Sequence, residues 1–263
     1  MTEDNANREI GFWRGWSIAV GCAIGSGVFM MPTLLAPYGL LGLGGWLVAG
    51  AGTLLVALSL SRLVKRVPKI GGPYAYVNAG LGNLAGFLVA WTYWISCIAA
   101  VSGIAIAFVG YLGVFIPAVT NSSILSLLVS LALVWSVIGM NIRSIESSGA
   151  FQVVTTALKI LPLLFIIVLG FSNMQPEILP PVNPTDLHPF AVLATATTLV
   201  MWSFIGIETA TVPADNIYQP DKTIPKILIA SLLTVLVIYF LVSLAIALVV
   251  PADELIGSSA PFA

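Results

Sequence analysis

The chain has 263 residues, of which 59% are hydrophobic and 8% charged, with a formal net charge of -1 and a mean hydropathy of +1.03. Soluble domains carry about one-quarter charged residues, so a water-soluble fold is excluded. The near-neutral balance gives no reason to expect a nucleic-acid partner. Cys22 and Cys97 lie in apolar runs without metal or redox spacing and read as small packing residues.

Residues 1–10, MTEDNANREI, form a polar N-terminal tail with no signal-peptide core after it. A helix needs about 20 mostly apolar residues to cross a bilayer. Seven such runs follow, at residues 11–35, 39–63, 85–116, 124–140, 151–171, 190–211 and 227–250. Runs of this length cannot be barrel strands, and backbone groups in lipid must pair internally, so the sequence predicts an all-α integral membrane bundle. Arg8, Arg14, Arg62, Lys65, Arg66, Lys69, Arg143, Lys222 and Lys226 all fall on one side of these runs, while Glu177, Asp186, Asp253 and Glu254 fall on the other. The positive-inside rule then places the N-terminus in the cytoplasm.

After the second run, residues 67–83 read VPKIGGPYAYVNAGLGN, too apolar and glycine-rich for an ordinary solvated loop. A re-entrant hairpin and a short surface helix with aromatics at headgroup depth both fit.

The first run contains SIAVGCAIGSGVFMMP and the sixth TLVMWSFIGIETATVP. Each places glycine and small polar residues at mid-membrane depth with a proline beyond, so helix breaks are expected near Gly25 and Gly206. Breaks five spans apart imply an odd-numbered repeat inserted upside down the second time, as in many secondary transporters with a midplane substrate site. At a break, one half-helix offers free N–H groups and a positive dipole end suited to a carboxylate. The other offers carbonyls suited to an ammonium or a metal cation.

Five strings in order, GCAIGSGVFMMP, GGPYAY, ALKILPLLFIIVLGF, WSFIGIETA and NIYQPDKTIPKI, resemble the amino acid–polyamine–organocation (APC) superfamily, closest to its bacterial amino-acid antiporters and permeases. The resemblance implies the LeuT-like five-plus-five inverted-repeat fold, incomplete here after span seven. Residues 11–171 would be the first repeat, 190–250 the start of the second and 251–263 an extracellular or periplasmic end. It implies sodium-independent amino-acid transport in a bacterial inner membrane and no cofactor or metal, and it leaves proton coupling and a homodimer open. A fragment without the later spans is expected to show no saturable exchange by itself.

Residue by residue, the resemblance implies that Ser26 and Gly27 bind the substrate carboxylate. The carbonyls of Ala23, Trp202 and Ile205 would bind its ammonium, and Trp202 would cover the side chain. Tyr93 is either a gate or a packed aromatic. Glu208 resembles an acid used in gating and acid sensing, or is a hydrogen-bond partner that ties the broken helix to a neighbour. Ionisable groups inside a bilayer are costly, which singles out Lys159; the resemblance implies that it is a sodium-site surrogate able to couple protons, the alternative being a structural cation held by carbonyls at the first break. On span three, Ser96, Cys97 and Val101 would form the pocket wall. That wall offers nothing to a guanidinium, so a neutral amino acid is favoured, with a cationic amino-acid or polyamine exchanger as the alternative. A retinal protein, a channel and an intramembrane enzyme each lack their expected features: the lysine is on the wrong helix, no filter repeat is present, and the sole histidine, His188, lies at a predicted edge.

Overall fold

The computed structural model describes residues 10–67, 71–143, 148–258 and 260–262, so Arg8 and Lys69 lie outside the described residues. The helices are α1 (Phe12–Ala23), α2 (Ser26–Leu35), α3 (Gly39–Arg66), α4 (Pro73–Leu81), α5 (Asn83–Phe115), α6 (Pro117–Asn121), α7 (Ser123–Arg143), α8 (Ser148–Ser172), α9 (Pro189–Met201), α10 (Pro220–Ala247) and α11 (Ala252–Leu255). Each predicted run is matched by helix. The first is split into α1 and α2, and the sixth passes from α9 into 3-10 turns at Trp202–Phe204 and Ile207–Thr211.

Judged by length and apolarity alone, five stretches are able to cross a membrane: Gly27–Arg66, Asn83–Phe115, Val153–Ser172, Pro189–Thr211 and Pro220–Ala247. The count falls below seven because the split leaves α1 too short and lets α2 run on into α3. The apolar part of α7, Ser123–Gly139, is also short.

The glycine-rich segment after α3 forms the short helix α4, packed on α5, rather than a hairpin. Its approach is pinned by the Gly71 N–H, which donates to the Val212 carbonyl at 3.3 Å. At the same end of the bundle, Ile10 pairs with the segment after the sixth span. The Ile10 N–H donates to the Asn216 carbonyl at 3.0 Å and the Tyr218 N–H donates to the Ile10 carbonyl at 3.1 Å. At the other end, the Thr33 hydroxyl donates to the Ser258 carbonyl at 3.0 Å, and the Gln175 N–H to that of Leu248 at 2.9 Å. These contacts gather Ile10, Gly71 and residues 212–218 at one end, and Thr33, Gln175, Leu248 and Ser258 at the other.

The core is built around α10, which packs against α1, α3 and α8. Its centre is aromatic: Trp46 lies 5.1 Å from Tyr239 and 5.9 Å from Phe204, and the Trp46 Nε1–H donates to the Ser243 hydroxyl at 3.0 Å. A buried indole N–H needs such a partner. α5, α7 and α8 expose large apolar side chains such as Phe115, Trp135 and Leu158. In lipid these carry no hydrophobic penalty, because hydrocarbon tails are as apolar as leucine.

Candidate functional site between two broken helices

The first break follows from the Gly25-Ser26-Gly27 run. Gly25 is extended, at φ -119° and ψ -154°, and its N–H turns back to the Ala23 carbonyl at 2.9 Å. An intact helix would have used that N–H on the carbonyl of Gly21, four residues back. The Gly21 carbonyl is instead taken by the Lys159 ammonium at 2.8 Å. One turn earlier, the Thr156 hydroxyl donates to the Ser17 carbonyl at 3.0 Å, so one face of α8 reads one face of α1. Lys159 therefore meets the first break through the Gly21 carbonyl.

The Ala23 carbonyl is committed elsewhere. It accepts from the Gly25 N–H and, at 2.7 Å, from the Tyr239 hydroxyl. A carbonyl has two lone pairs, so the role expected of Ala23 toward a substrate ammonium is not available in this arrangement. The side chain of Ser26 lies outside the described residues; its backbone opens α2, whose first N–H groups have no intrahelical acceptor.

The second break turns on Gly206, at φ +112°. A β-carbon there would lie 2.8 to 2.9 Å from the backbone of Cys22 and Ala23, so the two broken helices cross main chain on main chain. The Glu208 carboxylate accepts from the Gly206 N–H at 2.9 Å, the Thr209 hydroxyl donates to the Gly206 carbonyl, and the Thr211 hydroxyl donates to the Glu208 carbonyl at 2.7 Å. Glu208 therefore bonds within its own broken segment, and these bonds tie it to no neighbouring helix. Gly27 meets the same segment: a β-carbon on it would come within 2.6 Å of the Ser203 hydroxyl.

Between the breaks and α5 lies a cavity of about 190 Å³. Gly25 and Gly27 border it from the first break, and Trp202, Ile205, Gly206 and Glu208 from the second. Tyr93, Ser96 and Cys97 reach it from α5. The Tyr93 hydroxyl faces the Glu208 carboxylate, and the Trp202 ring lies over Gly103, where a β-carbon would come within 3.3 Å of it.

Val101 is not brought there. It borders a separate groove between α5 and α7, while Ala100 and Ile104 take the wall position. The register is shifted by one residue because a helix turns about 100° per step. The wall remains apolar. Nor are Cys22 and Cys97 packing residues: both are free, exposed thiols on the cavity. Sequence reasoning also missed Ser203 and Thr209, which flank the second break and border the cavity. The Ser203 hydroxyl is buried with no hydrogen-bond partner among the described residues. His188 caps α9, its Nδ1 accepting from the Phe190 N–H at 3.3 Å.

The cavity therefore joins a helix N-terminus, an acidic side chain and an apolar aromatic wall. Among known proteins, a putative arginine/ornithine antiporter of Bacillus subtilis is 31% identical over 97% of this chain and 60% of its own length. The putrescine transporter PotE of Escherichia coli is 28% identical over 91% of this chain and 54% of its own. An arginine/ornithine antiporter of Latilactobacillus sakei is 28% identical over 92% and 53%. The chain thus spans a little over half the length of these curated relatives. Its apolar helices and split first and sixth spans fit the LeuT-like membrane fold. Residues 10–263 match the amino acid permease family, and the chain is a multi-pass membrane protein belonging to that family, within the APC superfamily.

Proposed function

We propose that this chain forms the substrate-binding half of a sodium-independent amino-acid transporter whose substrate sits between the two broken helices. The observation that carries this reading is the single cavity bordered by Gly25 and Gly27 on one break and by Trp202, Ile205 and Glu208 on the other. The N–H end of α2 suits a carboxylate, with Ser26 and Gly27 as its ligands. With Ala23 committed, the carbonyls of Trp202 and Ile205 and the Glu208 carboxylate are the acceptors for the ammonium. Trp202 and Tyr93 would close over the bound molecule.

Lys159 already places a cation on the Gly21 carbonyl of α1, which would remove the need for sodium there and make its proton the coupling ion in this proposal. The basic residues of the sequence support a cytoplasmic N-terminus. The Ala100, Ile104 and Cys97 wall favours a neutral side chain. A second reading, a cationic amino acid or diamine, is favoured by Glu208 as the cavity's acidic group and by the names of the relatives.

The test is uptake of labelled amino acid by cells producing the whole protein that carries this sequence. Unlabelled neutral amino acids, arginine, ornithine and putrescine compete at several pH values, with Trp202→Ala in parallel. Competition by neutral amino acids is expected, with uptake at least about tenfold lower in Trp202→Ala. Competition by the cationic compounds alone selects the second reading. No competition by any of them contradicts both.

A further inference from the structure

Ser203 is the middle residue of the 3-10 turn Trp202–Phe204 and is only 3% exposed. The turn is anchored on one side by the Phe204 ring, 5.9 Å from Trp46. It closes with the Ile205 N–H donating to the Trp202 carbonyl at 3.2 Å. Held in this way, Ser203 lies directly against Gly27 in the first turn of α2. A β-carbon on Gly27 would come 2.6 Å from the Ser203 hydroxyl oxygen and 3.2 Å from its Cα and Cβ.

The hydroxyl itself is buried and has no hydrogen-bond partner among the described residues. Other buried serines of the bundle return theirs to the carbonyl four residues back, Ser61 to Ala57 and Ser231 to Ile227, each at 2.7 Å. Burying a hydroxyl without a partner costs its desolvation and returns nothing. Such a group in a folded protein therefore points to a partner that arrives later. With no bond to break, the hydroxyl can turn about its Cα–Cβ bond to meet one.

Two features define that partner. Ser203 borders the cavity, so the partner is a bound molecule. The hydroxyl also stands beside the start of α2, where no side chain caps the helix and the first N–H groups have no intrahelical acceptor. Donors gathered at the positive end of a helix suit an anion, and the anionic group of an amino acid is its carboxylate.

We propose that Ser203 is a ligand of the substrate carboxylate, its hydroxyl donating from the second break while the N–H groups of α2 donate from the first. Both broken helices then hold one end of the substrate, and Ser203 sets the preference for an amino acid over the amine that lacks its carboxylate. This rests on the transport reading of the cavity, and the experiment separates the two.

In proteoliposomes containing the whole protein, inhibition constants against uptake of labelled leucine or ornithine are measured for two pairs: leucine with leucinamide, and ornithine with putrescine. The second compound of each pair has no carboxylate. For the pair that the wild-type protein accepts, Ser203→Ala is expected to raise the constant of the amino acid about tenfold, the scale of a hydrogen bond to a charged group, and to leave that of its partner unchanged. The melting temperature in detergent should hold or rise, because the substitution removes a hydroxyl that the protein itself does not pair. A purely structural serine would do the reverse, lowering the melting temperature and weakening both members of a pair alike. Either of those results, or an unchanged constant for the amino acid, overturns the proposal and leaves the transport reading standing. If none of the compounds competes in the wild-type protein, the transport reading fails and the role of Ser203 falls with it.

Discussion

Gly206→Ala is expected to abolish transport and to weaken the fold. The backbone at Gly206 has φ +112°, which side-chain-bearing residues rarely adopt, a strain of about 1–3 kcal/mol. The added methyl would also meet the main chain of Cys22 and Ala23 at 2.8 to 2.9 Å. Neither segment can yield by a rotamer change, so overpacking adds about 1–3 kcal/mol more. The relief available is to part the two broken helices, which dismantles the cavity between them. Uptake should be undetectable and the melting temperature in detergent lower. Wild-type uptake in a well-folded Gly206→Ala protein would mean that the crossing of the breaks is incidental.

Lys159→Met is expected to separate function from stability. Removing the ammonium leaves the Gly21 carbonyl without its donor, at about 1–3 kcal/mol. Taking an ionised group out of a membrane helix returns about 2.5–3.5 kcal/mol on insertion scales. The two effects nearly cancel, so the variant should be produced and melt much like wild type. The cation at the break is gone all the same, and uptake should fall at least about tenfold at every pH. A strongly unfolded variant would mark Lys159 as a structural cation first; normal uptake in a folded one would remove it from the mechanism.

The parts of this site that were legible in the sequence are those encoded locally. Gly-Ser-Gly at 25–27 and Ile-Gly-Ile at 205–207 announce breaks because a membrane helix rarely interrupts itself without small residues, and both breaks are found there. Span limits were legible for the same reason: residues 39–63 and 85–116 were expected, and α3 covers Gly39–Arg66 and α5 Asn83–Phe115.

What escaped depends on rotation and on partners far along the chain. α5 is apolar on every side, so no periodicity says which stripe faces the cavity, and Val101 was taken for a position that Ala100 and Ile104 fill. The cysteines were misjudged because an apolar run reads alike whether it faces lipid, core or a cavity. Ala23 was assigned to a substrate because the competitor for its carbonyl, Tyr239, lies 216 residues away. A lone tyrosine in an apolar span gives no sign of where its hydroxyl goes.

The central claim is that substrate occupies the space between the two breaks, and the native thiol of Cys97 on the α5 wall offers the most direct probe of it. The rate at which a small methanethiosulfonate reagent labels Cys97 would be measured with and without saturating neutral amino acids, arginine, ornithine or putrescine. A transported compound should slow labelling several-fold, and Gly206→Ala should lose that protection. Labelling that no compound slows, in a protein that still transports one of them, would place the substrate elsewhere.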